Sequence, residues 1–177
     1  MVVGNNLDYG ISSFKSIEKD YEIIVNRLLT NDKLKKLLFY TTDDCLERPN
    51  LSKPETLSLI NKQIQIVPRS YLPENDAYPI VNIQFDNFFN NATNPEFRDN
   101  IIIIDILCHY DQWNLGNFQM RPYKIAGEID SVLNDTKLTG IGKLKFISAQ
   151  MLLPDDNFGG VMLIYSAIHG EDDKIEY

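Results

Sequence analysis

Basic residues, histidine and cysteine are all scarce in this chain of 177 residues. Seventeen lysines and arginines face twenty-five aspartates and glutamates, a formal net charge of -8. Gripping a nucleic-acid backbone needs clustered Lys and Arg, so this deficit argues against it. The two cysteines, Cys45 and Cys108, lie far apart with no second pair near either. That excludes a disulfide framework and a four-cysteine zinc site, and leaves two reduced thiols as the expectation. No long apolar run exists: Ile101–Ile104 is far short of the roughly 20 residues that cross a bilayer. The N-terminus lacks the basic start and apolar stretch of a signal peptide. A soluble product made in a cytoplasm, with no membrane partner, is expected.

Nucleotide fingerprints are missing as well. There is no P-loop, and Gly140-Ile141-Gly142 lacks the third glycine of a dinucleotide site and leads into a strand pattern. It reads as a flexible turn. The acidic pairs Asp43-Asp44 and Asp155-Asp156, and the cluster Glu171-Asp172-Asp173, lack the alternating oxygens and central glycine of a calcium loop. They read as solvated turns. Lys33, Lys35 and Lys36 form the densest basic cluster, but no aromatic platform accompanies it, so a solvated helix face is expected.

What the chain does have is an ordinary globular composition, 44% hydrophobic and 24% charged. At this length one domain spanning residues 1–177 is expected, able to bury about 70% of its unfolded surface without metal or disulfide. Phe14, Ile17, Tyr21, Ile24 and Leu28 recur at steps of three and four and predict a helix over 13–29. Asn31 is an N-cap for a shorter helix carrying Leu34, Leu37 and Leu38. Ser52-Lys53-Pro54-Glu55 is a capping box that opens a third helix, running to about Asn61. Residues 12–61 thus form a helical N-terminal part, and 62–170 a core of sheet and helix.

From Gln63 the period becomes two. Ile64 and Ile66 alternate with Gln63 and Gln65, and Val81, Ile83 and Phe85 alternate with Asn82, Gln84 and Asp86. An Asn-rich stretch, residues 87–100, reads as a long hairpin loop. The strand 101–110 that follows is apolar on both sides: Ile102, Ile104, Ile106 and Cys108 on one, Ile101, Ile103 and Leu107 on the other with Asp105 and His109. Such a strand is central in a sheet, or its second face meets another chain. Arg121-Pro122 opens a helix at about 122–134, a glycine-punctuated turn precedes a strand over 143–153, and a hairpin leads to a last strand. An acidic tail closes the chain at 171–177. The expected class is α+β, a mostly antiparallel sheet of about four or five strands packed by the first helix and the helix at 122–134.

Two readings compete for function. Asp105, Cys108, His109 and Asp111 could make a metal or nucleophile site, with Asp105, His109 and Asp111 as the working set of a small hydrolase. Alternation along a strand puts Cys108 and His109 on opposite faces, which weakens it. No catalytic, cofactor or metal residue is therefore assigned, and no enzyme is expected. The other reading is protein contact. Phe88, Phe89, Phe97, Trp113, Leu115 and Phe118 lie in segments that read as loops, and with Ile101, Ile103, Asp105 and Leu107 they make a candidate partner interface. A monomeric adaptor for one host protein is a third possibility.

Residues 100–168 resemble the tail-terminator, or tail-completion, proteins of long-tailed bacteriophages. The shared pattern is a long strand ending in a polar-aromatic corner (Asp111, Trp113) and a helix of the form R-x-Y-x-I-x-x-E-I-D-x-x-L over Arg121–Leu133. A glycine turn and a final hairpin complete it, and the Tyr78-Pro79 strand start and amphipathic first helix also fit. The two extra short helices at 31–61 and the Asn-rich stretch depart from the pattern. The resemblance implies a virion neck or tail protein, assembled in the host cytoplasm, whose copies form a ring, a hexamer in that family. That ring caps the tail tube, contacts tail-tube and head-completion proteins, and lets DNA pass through its lumen without specific binding. Other neck or tube-like ring proteins share the architecture.

Overall fold

The computed structural model describes residues 17–66, 77–90, 98–138 and 142–168. Helix α1 spans Ile17–Leu28, α2 Asp32–Phe39, α3 Lys53–Ser58 and α4 Arg121–Leu133. The strands are β1 (Ile64–Gln65), β2 (Ile80–Asn90), β3 (Arg98–His109), β4 (Lys137–Leu138), β5 (Gly142–Leu152) and β6 (Phe158–Ile168). They form one sheet in the order β1-β2-β3-β6-β5-β4, antiparallel except where β1 runs parallel to β2. The class is α+β as expected, with one additional two-residue strand, β4, at a sheet margin, while the expected strand at 63–66 is only two residues long.

Local chemistry sets the helix starts. The Asn31 carboxamide oxygen accepts from the Leu34 amide at 3.0 Å, while its nitrogen donates to Glu128 of α4 at 2.8 Å. One side chain thereby caps α2 and ties it to α4. The Ser52 amide and hydroxyl both donate to the Glu55 carboxylate, at 2.7 and 2.6 Å, closing the capping box of α3. Pro122 lies in the first turn of α4, where its missing N–H costs nothing.

Register then sorts the sheet into two faces. Ile102, Ile104 and Ile106 pair with Tyr165, Leu163 and Val161 of β6, and with Phe85, Ile83 and Val81 of β2. Ile24 and Leu28 of α1, Leu34, Leu37 and Leu38 of α2, and Ile125, Ile129 and Leu133 of α4 close over this face to form the core. Each such side chain contributes roughly 1.5–3 kcal/mol on burial. The Tyr165 hydroxyl donates to Asp130 at 3.0 Å and so orients α4 on β6; burial and that carboxylate together push its pKa up.

Three expectations change. The segment 87–100 is not one loop, because β2 continues to Asn90 and β3 begins at Arg98, with Phe89 opposite Asp99 and Asn90 opposite Arg98. A bulge between Asp86 and Phe89 lets the ladder resume beyond it. Around β1 the alternation is lost: Gln63 and Gln65 are buried together with Ile64, while Ile66 is exposed. Gln65 is held by donating to the Lys62 carbonyl at 3.0 Å. Third, α3 stops at Ser58, short of Asn61, which takes a positive φ of 63° in the turn beyond it. The expected helix start at 13–16, Gly140 of the glycine turn and the acidic tail at 171–177 lie outside the described residues.

Candidate assembly surface

The second face of the sheet carries Ile101, Ile103, Asp105 and Leu107 of β3 beside Met162 and Ile164 of β6, all half-buried. Among the described helices, α1, α2 and α4 bury their apolar stripes on the other face. Into this apolar field β2 sets two polar residues, Asn82 opposite Asp105 and Gln84 opposite Ile103, and β1 a third, Gln65, opposite Asn82. Gln84 donates to the Asp105 carboxylate at 2.9 Å. Asn82 is only 6% exposed, and its carboxamide oxygen has no hydrogen-bond partner. A buried acceptor left unmatched costs about 1–3 kcal/mol, so it is a marker of a missing donor.

Partial burial pushes the Asp105 pKa above the ordinary carboxylate value, and the Gln84 hydrogen bond opposes that shift. Because the folded value is the higher one, ionised Asp105 costs stability. Its contribution is complete below the unfolded pKa and is lost as pH rises through the folded one. Asp105→Asn keeps an oxygen for Gln84 and removes the charge. Its urea midpoint is expected to exceed the parent's at neutral pH, with the gap closing towards about pH 4. A gap that is constant with pH would contradict this.

The corner after β3 is built to hold one aromatic ring in water. A 3-10 turn at Tyr110–Gln112 leads to Trp113, whose indole N–H donates to the Cys108 carbonyl at 3.2 Å. Asn114 bridges to Met120, Leu115 donates to Gln119, and Gln119 donates back to Gly116. Inside this closed turn Gly116, Asn117 and Phe118 all have positive φ, at 79°, 48° and 59°. A bulky residue in that region is strained, and such strain persists where the surroundings over-determine it. The result is a Phe118 that is fully exposed, at 103% of its reference area. Met120 and Tyr123 beside it are also exposed.

The sequence-derived interface set therefore divides. Ile101, Ile103, Asp105 and Leu107 share the half-open face, and Phe118 stands free. Trp113 and Leu115 instead are partly buried against the core, the Trp113 ring beside Tyr110. Phe88 and Phe89 belong to β2 and not to a loop, and their side chains, like Phe97, lie outside the described residues.

Two features were missed. Arg121 is completely buried and donates to four carbonyls: Nε to Gln112 at 2.9 Å, Nη1 to Leu37 and Tyr40 at 2.8 Å each, and Nη2 to Thr42 at 2.6 Å. A cation in the first turn of a helix opposes the macrodipole, and that was the available hint that its partners lie elsewhere. The second is the outer edge of β5. Strand β4 covers only Gly142 and Lys143, and the Asn134 side chain accepts from the Phe146 amide at 3.0 Å. Beyond that point no described strand lies alongside, while Phe146, Ile147, Met151 and Leu153 are exposed. An apolar open edge is a template for pairing with another chain.

The constellation considered for metal or nucleophile chemistry is dispersed. Cys108 faces the core, and burial pushes its thiol pKa up to about 12. His109 Nδ1 accepts from the Asp111 amide at 3.3 Å, and the Asp111 carboxylate is 3.4 Å away. Asp105 lies four residues back along β3, roughly 13 Å at strand rise. Among the described residues no group of three or more His, Cys, Asp or Glu is placed to hold a metal. Lys35 pairs with Asp32 at 2.7 Å and Lys36 reaches the Leu46 carbonyl at 3.3 Å, so two lysines of that cluster are engaged within their own chain.

One family model, YomW, matches residues 31–167, from α2 into the last strand. No curated protein and no solved structure matches the chain.

Proposed function

We propose that this chain, which belongs to the YomW family, is a structural virion protein of a phage, a ring-forming tail terminator at the head–tail junction. The family is phage-related, which supports the phage setting. On this reading the whole chain acts as one domain of a ring, a hexamer by the resemblance of residues 100–168. The ring caps the tail tube, contacts tail-tube and head-completion proteins, and performs no catalysis.

The observation that carries the assembly reading is the pair of unlike surfaces, a sheet face apolar behind as well as in front and a strained turn that exposes Phe118. A ring subunit needs two different surfaces, because a head-to-tail contact closes by rotation. The open edge of β5 is a further surface for a neighbour. The net charge of -8 fits a neck through which DNA slides, since an acidic wall repels phosphate over about a Debye length, roughly 8 Å at physiological salt.

Native mass measurement of the purified full chain, alone and mixed with tail tubes, tests this. A closed oligomer that binds tube ends is the expected result. A strict monomer that never joins tubes would overturn the reading. Rings that leave tubes uncapped but bind isolated necks would place the protein as another neck ring instead.

A further inference from the structure

We propose that neighbouring copies meet head to tail, the exposed 118–124 corner of one seated on the Asn82–Gln84–Asp105 sheet face of the next. This rests on the ring reading above and names its contact. The receiving face is short of donors. Asn82 offers a buried oxygen with no partner, and Asp105 beside it is a carboxylate held in an apolar field by one hydrogen bond from Gln84. Around them Ile101, Ile103, Leu107 and Met162 are half-buried apolar surface. What fits is a donor of positive charge flanked by apolar groups.

The corner supplies that combination on the same molecule. Lys124 is exposed in the first turn of α4, next to exposed Tyr123 and Met120, with Phe118 at the tip of the turn before it. The two patches are complementary in charge and in kind: the Asp105 carboxylate against ammonium, isoleucines against an aromatic ring. Neither patch is complementary to itself. Contact between unlike patches leaves each copy with one of each unsatisfied, until the ring closes. The turn's geometry adds an independent reason. Three successive positive φ angles fix Phe118 outward, and a ring already ordered loses little entropy on docking.

The experiment uses three full-length variants, each followed by native mass measurement and thermal unfolding. Phe118→Gly relieves the strained φ and is expected to keep or raise the melting temperature of the isolated chain. It should also weaken association about 30-fold or more, the scale of a central aromatic anchor. Lys124→Ala and Asp105→Asn are each expected to weaken association about tenfold, Asp105→Asn while stabilising the isolated chain at neutral pH. Mixing Phe118→Gly with Asp105→Asn, at concentrations where each alone is monomeric, should give mixed dimers and no closed ring. Each such pair retains one intact corner and one intact face. Parent rings with variants that still close would overturn this contact and leave the ring reading standing. Parent chains that stay monomeric would overturn both. Rings lost only together with the fold would assign these residues to stability and overturn the contact.

Discussion

Replacing Arg121 with alanine is expected to lower the unfolding free energy by about 3–5 kcal/mol, read as a fall in the urea midpoint at unchanged slope. The size follows from what the guanidinium holds. Its three nitrogens reach the carbonyls of Leu37, Tyr40, Thr42 and Gln112, which come from the end of α2, the loop after it and the corner before α4. Removing the side chain leaves these acceptors buried, each costing about 1–3 kcal/mol if water cannot reach it. Leu37 and Tyr40 lie at the C-terminal end of α2, where carbonyl dipoles favour a cation. No carboxylate takes part among these bonds, so the charge is balanced by dipoles alone. Arg121→Lys is the informative companion. An ammonium on a single stem has three donors and cannot span four carbonyls set around a plane, so most of the loss should remain. A lysine variant as stable as the parent would show that charge matters and the fork does not. Domains are typically stable by about 5–15 kcal/mol, so the alanine variant stands to lose about a fifth or more of its margin.

Arg121 also marks where the sequence stops being readable. The helices were legible because their starts are local: Asn31, Ser52 with Glu55, and Pro122 act on backbone groups within four residues. The two-sided strand β3 was legible because alternation is a period-two pattern that one window contains. Gln63 and Gln65 misled because their burial depends on a parallel neighbour, β2, that no window around them includes. The loop aromatics divide between core and surface for the same reason. Trp113 is inside because Cys108 offers a carbonyl and Gly159 leaves room for the ring, both set by a pairing between distant strands. Phe118 stands exposed in the structure, yet nothing in its neighbours announces three consecutive positive φ angles beyond the Gly-Asn pair. The open edge of β5 is a fact of topology, visible only once β4 proves to be two residues long. Membership of the YomW family, matched over residues 31–167, lay outside periodicity altogether, and the pattern of residues 100–168 carried a resemblance to phage tail terminators only.

The second large effect is expected at Gly160. A Cβ added there would lie 1.7 Å from the Ile106 carbonyl oxygen and 2.8 Å from its carbon, far inside any contact distance. Both atoms are backbone, so no rotamer change relieves the clash. Gly160 pairs with Leu107 in the ladder between β3 and β6, the two central strands. Gly160→Ala must therefore push those strands apart at a point where both faces carry packed side chains. Ordinary overpacking costs about 1–3 kcal/mol, and a backbone clash at the centre of the sheet should exceed that range, seen as loss of cooperative thermal unfolding or of soluble protein. Gly159 provides the control one residue away. A Cβ there would meet the Tyr110 hydroxyl at 2.7 Å and the Trp113 ring at 3.0 Å. Those are the outer parts of side chains, and Tyr110 is itself partly exposed, so the corner can shift to admit the methyl. Gly159→Ala should then remain folded, within about 1–3 kcal/mol of the parent, while moving the base of the turn that holds Phe118. If the corner is the docking element, this variant will assemble poorly for its stability, whereas Gly160→Ala will fail at folding first. Equal losses of stability from both glycines would instead mean that Tyr110 and Trp113 are as immovable as the sheet beneath them.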